Sequence, residues 1–168
     1  YGMALNSSEF RKAMGHFATG VTIITVDLDG EVHGMTANAF ASVSIEPMLA
    51  LVCVDHTTRT HGHLHAKKRF GINILCEDQR KISEYYARPE RNHEHAEEEA
   101  GARFDRTGQG TPVLHGALAY LECRLHSAQD AGDHTIFIAE VEDVVIHDGQ
   151  PLLFFRGKYR KAGEEVEK

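Results

Sequence analysis

The sequence predicts a mostly β fold, a β-barrel with flanking helices. Two observations carry that prediction. Runs of strand length rich in Val, Ile and Thr recur along the chain, and these residues fit a pleated, half-buried surface. Most of the runs are joined by turn signals such as Asp29-Gly30 and Asp148-Gly149, which suit antiparallel hairpins rather than helical crossovers. A chain of 168 residues can bury about 70% of its unfolded surface, so it needs neither disulfide nor metal to fold.

The elements follow in order. Residues 6–19 read as an amphipathic helix, because Phe10, Ala13, Met14, Phe17 and Ala18 recur at helical spacing. Asn6 is placed to cap it, with Glu9 three positions on, and Gly20 to stop it. Residues 21–27 and 31–35 form a hairpin about Asp29-Gly30. Residues 36–47 are short and often polar. Residues 48–55 are a nearly continuous apolar run, expected in the core. Residues 56–69 begin as a loop and become helical, with Thr57, Thr58 and Thr60 as N-cap candidates. A strand at 70–76 precedes a helix at 77–87 with Ile82, Tyr85 and Tyr86 on one side.

Residues 88–111 are rich in Glu, His and Gly and read as a mobile loop with a short acidic helix. From 117 to 128 the pattern alternates. Ala117, Ala119, Leu121, Cys123 and Leu125 share one face, and Tyr120, Glu122, Arg124 and His126 the other. A turn at 130–132 leads to a long strand at 134–146 and a last strand at 152–156. Six or seven strands with two or three helices are expected in a single domain over 6–160. The termini, 1–5 and 161–168, are expected to be flexible.

Charge and cysteine usage narrow the function. Lys plus Arg number 18 and Asp plus Glu 25, a net charge of −7 with no basic block. Such a chain is a poor match for a phosphate backbone and suits a small-molecule protein. Cys53, Cys76 and Cys123 are odd in number and far apart, which argues for reduced thiols and a cytoplasmic setting. No apolar run is long enough to span a bilayer. No signal peptide is expected either, since Asn6, Ser7, Ser8, Glu9 and Arg11 stand where one would be basic and then apolar.

Four segments carry candidate chemistry. In Met35-Thr36-Ala37-Asn38-Ala39-Phe40-Ala41-Ser42-Val43-Ser44, small residues permit close backbone approach. Its hydroxyls and amide offer uncharged donors and acceptors to a flat heterocycle or a phosphate tail; a polar turn is the plain alternative. Cys53-Val54-Asp55-His56-Thr57-Thr58-Arg59-Thr60 gathers hydroxyls and an Arg at a helix start, favourable for an anion or simply a cap. Gly132-Asp133-His134 delivers a histidine to a strand start, or exposes it in a turn. Phe155-Arg156-Gly157-Lys158-Tyr159-Arg160 offers cations and a stacking ring, or a solvated strand end.

Taken together and in this order, the segments resemble the flavin reductase family with the FMN-binding split-barrel fold, the reductase components of two-component flavin-dependent monooxygenases. The resemblance runs from Phe10 to Arg160. It includes Phe10-Arg11, Ala13-Met14-Gly15 and Phe17-Ala18-Thr19-Gly20-Val21-Thr22. It continues through Met35-Thr36-Ala37-Asn38-Ala39-Phe40 and Phe70-Gly71-Ile72-Asn73-Ile74-Leu75, then Gly132-Asp133-His134 and Arg156-Gly157 with Tyr159-Arg160. Two departures stand out: Glu46-Pro47-Met48 in place of a Pro-Pro strand start, and the His- and Glu-rich stretch from 88 to 110.

The resemblance implies a homodimer that binds FMN or FAD, accepts a hydride from NADH or NADPH, and supplies reduced flavin to a separate monooxygenase. It places Thr36, Ala37, Asn38, Ala39, Ser42 and Ser44 along the isoalloxazine and ribityl chain. Cys53, Val54 and Asp55 would line the other ring edge, Thr58 and Thr60 would face the phosphate, and Phe70 and Asn73 would close the pocket. His134 and Tyr159 would border the nicotinamide as the catalytic pair. The transfer needs the two rings stacked with reacting atoms about 3–3.5 Å apart, and no catalytic triad. No Gly-x-Gly-x-x-Gly between strand and helix provides a separate nucleotide domain. A non-catalytic flavin carrier of the same fold is the alternative. His61 and His65 fall on one helical face with His63 opposite, so solvated histidines and no metal site are expected.

Overall fold

The computed structural model describes residues 4–89 and 93–168. Asn6 caps the first helix, α1 (Ser7–Met14), by accepting the Glu9 amide at 2.9 Å. The helix stops at Gly15, five residues before the expected Gly20. The chain turns away there so that β1 (Thr19–Gly20) can pair with β11 (Leu152–Phe155). Its apolar face is left uncovered: Phe10 is 55% and Met14 53% exposed.

β2 (Thr22–Leu28) and β3 (Glu31–Ala37) form the expected hairpin. Asp29 and Gly30 both take positive φ, 53° and 98°, the turn whose twist matches its strands. β4 (Phe40–Ile45) pairs with β5 (Met48–Asp55). Then come α2 (Arg59–Lys67), β6 (Arg69–Ile74), α3 (Arg80–Tyr86), a 3-10 turn at His93–His95 and α4 (Ala96–Ala100). The short pair β7 (Phe104–Arg106) and β8 (Pro112–Leu114) leads to the long strands β9 (Ala119–Ala131) and β10 (His134–Ile146). β11 closes with β12 (Lys158–Lys161).

Seven strands form one antiparallel sheet in the order β3-β2-β6-β9-β10-β5-β4. Laid flat, six strand spacings would separate its edges by about 29 Å. Yet the edge strands β3 and β4 are joined only by Asn38 and Ala39, a link spanning roughly 11 Å at most. The sheet therefore curls until its edges lie side by side without pairing, and that geometry is a split barrel.

Two apolar clusters hold it. Inside, Ile24, Val26, Val52, Phe70, Ile72 and Phe137 pack with Leu64 of α2; outside, Val21 and Ile23 pack against Ile82, Tyr85 and Tyr86 of α3. Fully burying Phe70 or Phe137 contributes roughly 1.5–3 kcal/mol each. Among the described residues no helix is long and apolar enough to cross a membrane.

The structure corrects four expectations. The short-residue stretch at 36–47 contains a full strand, β4, whose residues are mostly exposed because it is an edge. The apolar run at 48–55 is half-buried, alternating inward and outward, because only one of its faces meets the core. On β9 the expected polar face is partly buried: Tyr120 is 4% and Glu122 3% exposed. The Glu122 carboxylate accepts the hydroxyls of Thr107, Thr111 and Tyr120, each at 2.9 Å, with Arg69 3.6 Å away. Tyr120 is its same-face neighbour on β9, but Thr107 and Thr111 come from the loop at 107–111 and Arg69 from β6, and spacing alone does not reveal those three. The loop at 88–111 instead forms the 3-10 turn at His93–His95, α4 and β7, with residues 90–92 outside the described residues.

Cys123 faces the interior cluster, and burial, reinforced by Glu122, pushes its thiol up to about 12. Thiolate is the reactive form, so iodoacetamide at neutral pH is expected to leave Cys123 unmodified until the protein is unfolded. Peptide mass mapping of native and denatured samples checks this; labelling of Cys123 in the native sample would contradict the packing.

Candidate active site

The end of β3 and Asn38, just after it, border a groove made of two adjoining hollows. The smaller, about 180 Å³, is lined by Val21, Thr36, Ala37, Asn38, Ser83, Ala87, Phe154 and Tyr159. The larger, about 400 Å³, shares Thr36 and Ala87 and continues past Met35, Tyr86 and Pro89 to Thr57, Thr58 and Arg59.

Hydrogen bonds fix the small hollow. Thr36 Oγ1 donates to the Ser83 carbonyl at 2.6 Å, tying β3 to α3. Ser83 Oγ and the Tyr159 hydroxyl are 2.7 Å apart, which ties α3 to β12. Tyr159 packs edge-on against Phe154 at 5.3 Å, with the Arg80 guanidinium 5.7 Å from its ring centre. Ala37 lets the wall recede between these groups.

At the far end Thr58 caps α2 by accepting the His61 amide at 3.3 Å. Asp55 holds Thr57 through both its amide and its hydroxyl at 2.7 Å. Those two bonds keep the Asp55 carboxyl below the usual carboxylate range. The outer end of the larger hollow is thus a helix N-terminus with an Arg at its first position, a setting that favours an anion.

The family model for the flavin reductase like domain matches residues 14–163. The chain belongs to the flavin reductase family. An NADH-dependent flavin reductase of a Rhodococcus species is 40% identical over 153 residues, covering 89% of this chain and 83% of that one. The reductase component of a 4-nitrophenol 4-monooxygenase/4-nitrocatechol 2-monooxygenase from Rhodococcus opacus is 38% identical over 155 residues, covering 92% and 80%. The solved structure of the Streptomyces globisporus NADH:FAD oxidoreductase SgcE6 in complex with NAD and FAD fragments superimposes with a TM-score of 0.88. It is 31% identical, over 99% of this chain and all of that one.

In this flavin reductase the residues expected at the site divide into four groups. Thr36, Ala37, Asn38 and Tyr159 share the small hollow, and Thr58 stands at the end of the larger one. Ala39, Ser42, Ser44 and Cys53 sit on the β4–β5 side, where the Cys53 amide donates to the Ala39 carbonyl at 3.0 Å. Asp55 reaches the groove only through Thr57. Phe70, Val54, Asn73 and Thr60 are buried. Phe70 and Val54 belong to the interior cluster, Thr60 bonds His33 at 2.7 Å, and Asn73 ties β6 to β2 and β8.

His134 begins β10 opposite Asp55, with Nδ1 2.7 Å from Asp133 Oδ1. It lines neither of these two hollows, whereas Tyr159 lines the smaller. Sequence reasoning missed Ser83, Ala87 and Phe154 as wall residues, whereas Arg59 stands at the helix start where the sequence reading places an anion. Ser83 lies on α3 and Ala87 just after it, and no local signal marks them.

Proposed function

We propose that this chain transfers a hydride from NADH or NADPH to FMN or FAD, so that reduced flavin is available to a separate monooxygenase. The groove carries the reading: a hollow floored by Thr36, Ala37 and Asn38 opens into one that ends at Arg59 and the start of α2. The donor set fits a flavin. The Thr36 proton is committed to Ser83, so its lone pairs remain for a ligand donor, while the Asn38 amide both donates and accepts. Tyr159 and Phe154 offer ring faces, and Arg59 with the first amides of α2 suits a phosphate.

Bound flavin supplies the hydride-accepting ring. The protein positions it: the Thr36–Ser83–Tyr159 bonds hold the wall, and Asp133 fixes His134 Nδ1, leaving Nε2 to meet a nicotinamide nucleotide. His134 is given no proton-transfer role, since the hydride step needs none. Relatives named as NADH-dependent favour NADH as donor.

The same reading includes a homodimer in the cytoplasm. Ile45 and Met48, cross-strand neighbours at the β4–β5 turn, are 86% and 61% exposed, and Val144 and Ile146 on β10 are 51% and 77%. Apolar surface of this kind calls for a partner. The three cysteines are free thiols, as suits a reducing compartment.

Absorbance at 340 nm in mixtures of the protein, NADH or NADPH, and FMN or FAD tests the proposal. Nucleotide oxidation well above a protein-free control is expected. Flavin binding with no oxidation would instead make the chain a carrier. His134→Ala is expected to lower kcat/KM for the nucleotide at least ~10-fold, about 1.4 kcal/mol, with flavin affinity nearly unchanged. Equal loss of both would place His134 elsewhere.

A further inference from the structure

Away from the groove floor, two imidazoles converge on one buried hydroxyl. His56, just after β5, places Nε2 3.0 Å from Thr135 Oγ1; His61, in the first turn of α2, places Nε2 2.8 Å from the same atom. Thr135 is fully buried and donates to Asp130 Oδ1 at 2.7 Å. A hydroxyl has one proton and two lone pairs, so with its proton on Asp130 this one accepts from both Nε2 atoms; to ligate an ion, each imidazole would carry its proton on Nδ1 and turn the freed Nε2 lone pair from Thr135 to the metal. His56 Nε2 and Asp130 Oδ1 stand 3.4 Å apart, and the ligand atoms of the three residues lie within 4.8 Å of one another.

We propose that His56, His61 and Asp130 form a site for one divalent transition metal of the zinc class, with solvent completing the coordination. Ligands at about 2.0–2.1 Å around a tetrahedral ion are about 3.3 Å apart, close to the His56–Asp130 separation. Two nitrogens and one carboxylate suit zinc and its neighbours and not magnesium or calcium, which take six or more oxygens.

The frame is set by main-chain bonds. Thr135 faces Asp130 in the β9–β10 ladder, and the His56 amide donates to the Asp133 carbonyl at 3.0 Å. Asp130 and His56 are exposed, which leaves a path for the ion and an open position. The ion would clamp the β5–α2 connection to the β9–β10 hairpin.

The test uses chelator-stripped, desalted full chain titrated with zinc chloride in a calorimeter, beside cobalt(II) absorption between 500 and 650 nm. One zinc per chain is expected, with intense visible cobalt bands and a higher melting temperature in zinc, since only the folded chain gathers the ligands. Asp130→Asn, His56→Asn and His61→Asn should each weaken binding at least ~10–100-fold, the range that even outer-shell partners command. His63→Ala, on the opposite helix face, should leave it unchanged. Because His56 and Asp130 are exposed, their variants should melt near the metal-free wild type, which separates lost ligation from lost folding. Wild type that binds zinc no more tightly than Asp130→Asn, or binding that survives His61→Asn, overturns the assignment.

Discussion

Asn73→Ala is expected to cost stability rather than flavin affinity. The carboxamide is fully buried. Its Nδ2 donates to the Ile23 carbonyl at 3.0 Å and to Thr25 Oγ1 at 3.1 Å, and its Oδ1 accepts the Leu114 amide at 2.9 Å. Alanine removes all three bonds and strands the Leu114 N–H inside the protein. Leaving buried polar groups unpaired costs roughly 1–3 kcal/mol each, so a loss of about 3 kcal/mol follows. For a chain of this size that lowers the melting temperature by about 6–12 °C. Thermal melting with flavin titration well below the transition checks it. An unchanged melting temperature with lost flavin binding would return Asn73 to the pocket.

Ala37→Trp is expected to do the reverse. Ala37 lines the 180 Å³ hollow between Asn38 and Tyr159, and an indole placed there fills space that a planar ligand would need. Flavin affinity should fall at least ~100-fold, about 2.7 kcal/mol. The substitution sits on an edge strand bordering a void, so the melting temperature should change far less than in Asn73→Ala. Fluorescence quenching of added FMN or FAD measures the first quantity and calorimetry the second. Flavin binding at wild-type strength would show that the ring lies elsewhere.

What the sequence discloses depends on whether the deciding partner is near in the chain. The Asn6 cap, the Asp29-Gly30 turn and the bounds of β5 and β10 are set by neighbours a few residues away, and they are legible. β4 is not, because its small polar residues form a strand only through pairing with β5. The burial of Glu122 needs hydroxyls from the 107–111 loop. Tyr159 was legible as a ring near the chain's end, but not its strand. The Arg156-Gly157 turn demands positive φ at both positions, 52° and 75°, and arginine does not advertise that conformation. The histidines show the same limit. Spacing within 61–65 compares His61 only with His63 and His65, whereas His56 and Asp130 meet it through the fold.

The small hollow draws its walls from β3, α3 and β12, joined by Thr36, Ser83 and Tyr159. Until the 152–161 hairpin docks, therefore, that hollow lacks the wall that Phe154 and Tyr159 supply, and it is complete only once the barrel is assembled.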